Sequence, residues 1–342
     1  MYLLRIGVVI TAALLCMLAQ AAADAIADFY KGKQIRMVIR AGTGGGFDTY
    51  SRLLIRHMVR FIPGNPTGLP VNMPGGSGLT ALNYVADIHP RDGTVLTLVT
   101  QTFPMEQALA INHLLKVDMR QLNWIGNMSE ESSFIITSAE SPTKTLDDTK
   151  RRDTIIGVPS LRSTTAWLAL VTNGTLGTRF KLVAGYTSGP NMVLAMERGE
   201  IEGRGTTTPN AVLGGRPTVD ASGKPLINFI IQYGLAKNKG FPHVPLFRDL
   251  AVGSDQKQLF DFVSSVVSLP RPVATNAGVP PERVAALRRA FDATMKDPAF
   301  LAEAQRMELE ISPMAGEELQ KLITAIVNVS PDVISKVKQV IK

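Results

Sequence analysis

The sequence predicts an α/β protein of two domains, and three observations support this prediction. The chain has 342 residues, which is enough for two hydrophobic cores of ordinary size. Its composition, with 45% hydrophobic and 19% charged residues, is typical of a globular protein. Segments with strand patterns alternate with segments of helical periodicity along most of its length. Such alternation is typical of right-handed crossovers and of parallel-rich sheets covered by helices on both faces.

The first 23 residues have the pattern of a secretory signal peptide. Arg5 precedes an apolar core over residues 6–18, and Ala21 to Ala23 provide a small-residue cleavage site before Asp24. The apolar core is short for the ~30 Å hydrocarbon layer of a membrane, and an uncleaved anchor is the alternative interpretation. Cys16, the single cysteine, lies in this segment. We therefore expect an exported, periplasmic protein whose mature chain has neither a disulfide nor thiolate chemistry.

Strand and helix patterns alternate through the first part of the mature chain. The predicted strands lie at 34–40, 69–73 and 95–100, and the predicted helices begin at Asp48 and cover 79–86. Proline- and glycine-rich turns separate these elements, at 63–66 and 90–93. Because the carboxyl ends of parallel strands meet at one edge of a sheet, we expect the loops that follow these strands to be neighbours.

The same alternation continues toward the C-terminus. The predicted strands lie at 134–137, 154–158, 181–183, 227–231 and 262–268, and the predicted helices at 165–171, 192–198 and 283–295. Two more helices are predicted to close the chain. The C-terminal helices each have one apolar stripe, which predicts that they are packing elements.

Two glycine-rich loops follow predicted strands. Gly42 to Gly46 stand between the first strand and its helix, and Pro74 to Gly78 follow the second strand. Glycine allows an anion to approach the unpaired N–H groups at the start of a helix, where the helix dipole favours negative charge. Each loop alone is also compatible with a plain strand-to-helix turn. Two such loops at one sheet edge favour an anion-binding site.

The motifs of common enzyme classes are incomplete in this chain. Gly42 to Phe47 lack the third glycine of the dinucleotide-binding pattern and the Lys-Ser/Thr pair of a P-loop. Gly75 to Leu79 fail the nucleophile-elbow pattern at its last position. Asp48 is compatible with a general base and with a helix N-cap beside Thr49. None of the four histidines has the spacing of a metal-ligand motif; they are His57, His89, His113 and His243. We expect no catalytic residue, no bound metal and no cofactor.

The formal net charge of +7 comes from scattered lysines and arginines. The chain has no run of about five or six basic residues and no basic stripe interleaved with aromatic residues, so nucleic acid is not an expected partner. A mildly basic surface instead favours an anionic solute or an anionic membrane surface through long-range attraction.

Specific motifs run through nearly the whole mature chain in a fixed order. They are Gly44-Gly45-Gly46-Phe47-Asp48-Thr49-Tyr50-Ser51-Arg52-Leu53, Ile62-Pro63-Gly64-Asn65-Pro66, Asn72-Met73-Pro74-Gly75-Gly76-Ser77-Gly78, Pro90-Arg91-Asp92-Gly93-Thr94, Trp124-Ile125-Gly126, Gly185-Tyr186, Ala195-Met196-Glu197-Arg198-Gly199-Glu200, and the tail from Gly278 through Pro298. Together these motifs resemble the Bug/TctC family, the extracytoplasmic solute receptors of tripartite tricarboxylate transporters.

The resemblance implies a type II periplasmic-binding-protein fold, with two α/β domains and a ligand cleft between them. The domains implied are 24–127 with 241–342, and 128–240. The family's ligands are mostly di- and tricarboxylates, aromatic acids, amino acids and related small organic acids. The binding positions implied in the first domain are Thr43, Gly44, Gly45, Gly46, Asp48, Thr49, Pro74, Gly75, Gly76, Ser77, Gly78, Thr100 and Gln101. Those implied in the second domain are Ser160, Arg162, Ser163, Thr164, Thr165, Gly185, Tyr186 and Thr187.

Two loops depart from the family pattern. The first loop usually begins with prolines, whereas Arg40-Ala41-Gly42-Thr43 stand here. The loop in the second domain is usually glycine-rich, whereas this chain has Val158-Pro159-Ser160-Leu161-Arg162-Ser163. The bulkier residues are expected to shrink the pocket or to change its direction. Arg162 is compatible with a bidentate carboxylate clamp and with an exposed arginine.

The expected function is therefore that of a monomeric solute-binding protein and not of an enzyme. The protein is expected to capture a small organic carboxylate, close its domains around it and deliver it to the membrane subunits of a tripartite tricarboxylate transporter. A receptor for a sensor kinase is a variant of this hypothesis. The alternative from another class is a secreted α/β enzyme, resembling an esterase or a dehydrogenase.

Overall fold

The computed structural model describes residues 24–340 except 45, 89, 131, 162, 187–188 and 209–216. The predicted signal peptide and three of the predicted site residues, Gly45, Arg162 and Thr187, lie outside the described residues. The strands are β1 (Gln34–Ile39), β2 (Thr67–Asn72), β3 (Val95–Leu98), β4 (Asn123–Asn127), β5 (Ser133–Ser138), β6 (Thr154–Val158), β7 (Phe180–Ala184), β8 (Gly203–Thr207), β9 (Ile227–Tyr233), β10 (Pro272–Thr275) and β11 (Met314–Ala315).

The α-helices surround these strands. They are α1 (residues 24–30), α2 (Gly46–Met58), α3 (Leu79–Asn83), α4 (Phe103–Leu109), α5 (Leu146–Arg151), α6 (Thr164–Leu176), α7 (Gly189–Glu197), α8 (Gly253–Val267), α9 (Pro281–Thr294), α10 (Pro298–Arg306), α11 (Gly316–Val327) and α12 (Pro331–Val340). Short 3₁₀ helices lie at Val59–Phe61, Gly76–Gly78 and Phe247–Leu250, and a π-helix at Tyr84–Ile88 extends α3. Within the described part of the chain, no helix is both long enough and apolar enough to span a membrane.

The chain forms two compact units. Unit 1 extends to Glu130 and includes Pro270–Val327, and unit 2 comprises Glu131–Leu269 and the residues from Asn328 onward. These boundaries differ from the predicted ones at 127 and 240. The segment after 240 belongs to unit 2 because Phe247 packs on Tyr233 of β9 at a centroid distance of 5.3 Å, and Val244 is part of the core cluster around Phe134.

The two sheets have matching strand orders. The sheet of unit 1 has the order β11-β4-β10-β3-β1-β2, and that of unit 2 has the order β7-β6-β8-β5-β9. In unit 1, β2, β1 and β3 are parallel, and β10 is antiparallel to both of its neighbours. In unit 2, β7, β6 and β8 are parallel, and β5 is antiparallel to both of its neighbours. Each unit therefore has three parallel strands followed by one reversed strand. In unit 1 the reversed strand, β10, comes from a distant part of the chain, whereas in unit 2 the reversed strand, β5, is the strand directly before β6 in the chain.

The cores explain why these segments adopt their observed structures. In unit 1, Ile35, Met37 and Ile39 of β1 are fully buried against apolar residues of α2 and α9. In unit 2, Phe134 of β5 packs on Phe229 at a centroid distance of 5.1 Å. Each fully buried side chain of this size contributes roughly 1.5–3 kcal/mol, so the cores supply most of the stabilisation of each sheet.

Some predicted elements are wrong or were missed. Residues 262–268 are not a strand, because all but the last of them lie in α8, whose buried residues recur at helical spacing. A short apolar run does not distinguish a buried helix from a buried strand. Strands β4, β8, β10 and β11 and helices α1, α4 and α5 were not predicted. Three helices, α10 to α12, follow α9 in the described chain, where two were predicted.

A charged cluster joins α2 to α10. His57 is buried, and its Nε2 lies 2.6 Å from Glu303 Oε2. Arg60 Nη2 lies 2.8 Å from His57 Nδ1 and 2.5 Å from Asp297 Oδ2. Because a guanidinium only donates, Nδ1 is the acceptor, and Nε2–H donates to the Glu303 carboxylate.

We expect this cluster to make unfolding pH-dependent. The hydrogen bond from His57 holds the pKa of Glu303 below its ordinary value. A carboxyl with a lowered folded-state pKa stabilises the fold above its unfolded-state pKa, and that contribution disappears as the pH falls through the folded-state value. The free energy of unfolding should therefore decrease below about pH 4.5, near the unfolded-state pKa of glutamate.

Urea denaturation between pH 7 and pH 3 measures this effect. Glu303→Gln should lower the free energy of unfolding at pH 7 by about 1–2 kcal/mol and flatten its decline in acid. Glu282→Gln, at an exposed position in the first turn of α9, is the matched control. Equal acid slopes in the wild type and in Glu303→Gln would contradict the assignment.

Candidate functional site

Three loops of unit 1 follow the carboxyl ends of β1, β2 and β3 at one edge of the sheet. The carbonyl of Ser77 holds them together: it accepts one hydrogen bond from Arg40 Nη1 at 2.8 Å and another from Thr100 Oγ1 at 2.8 Å. The described parts of the three loops are thus joined through Arg40, Ser77 and Thr100. Gln101 follows Thr100 and is half-buried.

The first loop is anchored by Asp48 in the first turn of α2. The Gly44 N–H donates to Asp48 Oδ2 at 2.9 Å, and Asn72 Nδ2 and Arg52 Nε each donate to Oδ1 at 2.8 Å. Asn72 also donates to the carbonyl of Ala41 at 2.8 Å. The Asp48 carboxylate therefore joins the first loop, α2 and the end of β2.

The charge state of Asp48 follows from these contacts. Burial raises the pKa of Asp48, but the hydrogen bonds from Gly44, Asn72 and Arg52 together lower it further, so that the net pKa lies below its ordinary value. Asp48 is therefore an anion at neutral pH. Its side chain is buried, whereas Thr43, Gly44 and Gly46 of the same loop are exposed and Thr49 is half-buried.

The second loop adopts an unusual backbone conformation. Gly75, Gly76, Ser77 and Gly78 all have positive φ, at 143°, 54°, 55° and 107°. Glycine populates this region without steric cost, which explains three glycines in four positions. Pro74 to Ser77 are exposed, and no described residue accepts a hydrogen bond from the N–H of Gly76 or of Ser77. These two donors are available to an anion.

Two arginines beside the first loop were not predicted as site residues. The Arg40 guanidinium lies 3.6 Å from the centroid of the Phe47 ring, and the Arg271 guanidinium lies 4.9 Å from the same centroid. Arg40 follows β1, and Arg271 directly precedes β10, the reversed neighbour of β3. Arg40 was recognised only as a departure from the family pattern. Sequence spacing gives no signal for Arg271, because β10 reaches this sheet from a distant part of the chain.

The predicted loops of unit 2 also lie at one sheet edge. They follow β6 and β7, and the Gly185 N–H donates to the Pro159 carbonyl at 3.3 Å. Ser163 is the N-cap of α6, because its Oγ accepts from the Ala166 N–H at 3.2 Å. Ser160 is exposed, and its carbonyl accepts from Ser163 Oγ at 2.7 Å.

The remaining predicted residues of unit 2 have different surroundings. Thr164 and Thr165 are half-buried in the first turn of α6, and Thr165 Oγ1 accepts from Thr206 Oγ1 at 3.2 Å. Tyr186 is half-buried and packs against the aliphatic and aromatic core. A methyl group added at Gly157 would lie 2.7 Å from Ile201 Cδ1 and 3.1 Å from Tyr186 Cδ2, so the glycine in β6 makes room for both side chains.

Metal-binding and catalytic arrangements are not apparent in the described residues. No group of three or more His, Cys, Asp or Glu side chains there is placed to hold a metal ion. His57 belongs to the charged cluster on α2 and α10. The loops provide backbone N–H groups and cationic side chains, which are suited to binding an anion.

Two α/β units with matching strand orders, each with short loops at the carboxyl edge of its parallel strands, have the fold of the periplasmic binding proteins. Known protein-family models give no match to the chain. A UPF0065 protein in the gbd 5′ region of Cupriavidus necator is 22% identical over 325 residues, covering 93% of this chain and 92% of that protein.

Solved structures share the fold. A TctC solute-binding protein from Polaromonas, solved without ligand, has a TM-score of 0.71 at 18% identity, covering 91% of this chain and 99% of that one. MatC from Rhodopseudomonas palustris, solved with bound malate, has a TM-score of 0.55 at 15% identity, covering 91% and 99%. An R. palustris protein solved with adipate has a TM-score of 0.59 at 16% identity, covering 90% and 97%.

These findings confirm the predicted fold and the predicted resemblance to the Bug/TctC family. The fold is that of the TctC and Bug periplasmic binding proteins, and the sequence similarity to the C. necator protein extends over nearly the whole chain.

Proposed function

We propose that this protein is a periplasmic solute-binding protein that captures a small organic carboxylate. One observation carries the proposal: the three loops at the carboxyl edge of the unit 1 sheet present free N–H groups and two guanidinium groups together. The N–H groups belong to Gly76 and Ser77, and the guanidinium groups to Arg40 and Arg271. An anion at this edge gains charge-assisted hydrogen bonds, whereas a neutral solute does not.

The relatives support the choice of a carboxylate. Two structures of the same fold were solved with malate and with adipate, both dicarboxylates. Binding is proposed to favour a closed form of the two domains, which then delivers the solute to the membrane subunits of a tripartite tricarboxylate transporter. Export through the N-terminal signal peptide and a monomeric state are parts of the same proposal.

A thermal melting series with single organic acids tests the binding function. One acid or a few related acids should raise the unfolding midpoint, and a ligand at ten times its Kd should stabilise the protein by about 1.4 kcal/mol. The panel should include malate, adipate and their monocarboxylate analogues, at matched ionic strength and pH. Small-angle X-ray scattering of the same samples tests closure through a smaller radius of gyration.

The same samples distinguish a binding protein from an enzyme. Proton NMR of the incubated acids should show each acid unchanged after a day. Turnover of an acid, or of an ester or hydroxy-acid derivative of it, would favour the secreted-enzyme alternative. A midpoint unaffected by every acid in the panel would contradict the proposed carboxylate binding.

A further inference from the structure

We propose that Arg40 and Arg271 form a second anion subsite in unit 1, and that this subsite selects solutes with two or more negative charges. The inference rests on the proposed function and deepens it, because it assigns charge selectivity to two named side chains. Arg40 stands where the family pattern has proline, so the subsite is a property of this chain and not of the resemblance.

Both guanidinium groups contact the Phe47 ring. Arg40 lies 3.6 Å and Arg271 4.9 Å from the Phe47 centroid, and Arg271 also lies 4.7 Å from the Tyr50 centroid. A methyl group added at Gly46 would lie 3.2 Å from Arg271 Nη2, so the first loop runs directly past this guanidinium. The aromatic rings stabilise the flat faces of the cations and leave their N–H edges for hydrogen bonding.

The positive charge of this pair is not neutralised. Within the described residues, neither arginine forms an ion pair with a carboxylate. The Nε atoms of both side chains are buried and have no hydrogen-bond partner. Burial and, as a smaller effect, the positive charge of Arg271 together lower the pKa of Arg40 to about 10.

Hydrogen bonds within the protein use only some of the donors of each guanidinium group. Arg40 Nη1 donates to the Ser77 carbonyl at 2.8 Å, and Arg271 Nη1 donates to the Pro270 carbonyl at 2.8 Å. A guanidinium has five N–H donors, so most of the donors of both groups are unused by these contacts. Two neighbouring cations repel each other, and an anion that contacts both would replace this repulsion with attraction.

The neighbouring N–H groups give the subsite its selectivity. Gly76 and Ser77 provide neutral donors, which are sufficient for one carboxylate. A second negative group on the same solute would then bind the arginines. A monocarboxylate can use only one of the two sets of donors at a time, so it gains less from the arginines than a dianion does.

Isothermal titration calorimetry of adipate and monomethyl adipate tests the subsite, because the two ligands differ in one charge at similar length. Arg40→Gln and Arg271→Gln should each weaken adipate binding by about tenfold or more, which corresponds to about 1.4 kcal/mol. Both substitutions should weaken the binding of monomethyl adipate by less than about threefold, since fewer charge-assisted hydrogen bonds are lost. Arg289→Gln removes one exposed charge from α9 and should leave both affinities unchanged.

The outcomes separate this inference from the proposed function. Unchanged adipate affinity in both arginine variants would overturn the subsite, and so would an equal loss for the two ligands. If no organic acid binds, sulfate serves as a minimal dianion in melting experiments against chloride at equal ionic strength. Sulfate should then raise the unfolding midpoint of the wild type and of Arg289→Gln, but not that of Arg40→Gln or Arg271→Gln. This result would support the subsite although the proposed function had failed. No such difference would overturn the subsite as well.

Discussion

Replacing Gly78 by alanine should lower the free energy of unfolding by about 3 kcal/mol and weaken solute binding at least about tenfold. Gly78 has a φ of 107°, a region in which a side chain is strained. An added Cβ would lie 2.5 Å from Thr100 Oγ1 and 2.9 Å from Arg40 Cδ. Because Thr100 and Arg40 both donate to the Ser77 carbonyl, relief of the clash would displace the second loop and the neighbouring guanidinium together.

Gly42→Ala is the matched control for this substitution. Gly42 lies in the first loop without a positive φ, and a methyl group added there would meet no atom within 4 Å. Urea denaturation and calorimetry with the best acid from the melting series should show both effects in Gly78→Ala and neither in Gly42→Ala. Wild-type affinity in Gly78→Ala would mean that the second loop is not part of the binding site.

The sequence allowed the three parallel strands of unit 1, two of the three in unit 2 (β6 and β7) and the loops that follow them to be predicted. These features depend on local signals: β1 has a strand pattern, glycines follow it, and a helix begins near Asp48. The rule that neighbouring parallel strands end at the same edge of a sheet then predicts that the separate loops lie close together. The structure places Ser77 and Thr100 in hydrogen-bond contact, as that rule predicts.

Features that depend on contacts between distant segments could not be predicted from the sequence. Strand β10 begins at Pro272 and pairs antiparallel with β3 and β4, which lie more than a hundred residues earlier in the chain, so no local pattern identifies this pairing. Arg271 reaches the site only through this pairing. For the same reason, the placement of Arg271 and Arg40 on one Phe47 ring has no signature in sequence spacing.

Asp48 shows how the structure decides between interpretations that the sequence leaves open. The sequence is compatible with a helix N-cap, a general base and a ligand-binding residue at this position. In the structure α2 begins at Gly46, so Asp48 lies inside the first turn and accepts from the Gly44 N–H of the preceding loop. A buried carboxylate with three hydrogen-bond donors around it is suited to holding the loop and not to binding an anion.

Asp48→Ala should therefore lower the free energy of unfolding by about 2 kcal/mol, because it leaves the partly buried donors of Gly44, Asn72 and Arg52 without their acceptor. Partial exposure of the Arg52 side chain, at 36%, keeps the effect below that of a fully buried pair, since water can replace part of the lost contact. Asp28→Ala, at an exposed position in α1, is the matched control in urea denaturation.

The effect of Asp48→Ala on solute binding tests the assigned role. If Asp48 holds the loop, its removal should weaken binding. The N–H groups of the first loop would lose their fixed positions, and the entropy cost of ordering them again would oppose binding. A carboxylate that faced the solute directly would repel it, and its removal would strengthen the binding of an anion. Calorimetry that showed tighter carboxylate binding by Asp48→Ala would place this side chain in the binding site and contradict its role as an anchor.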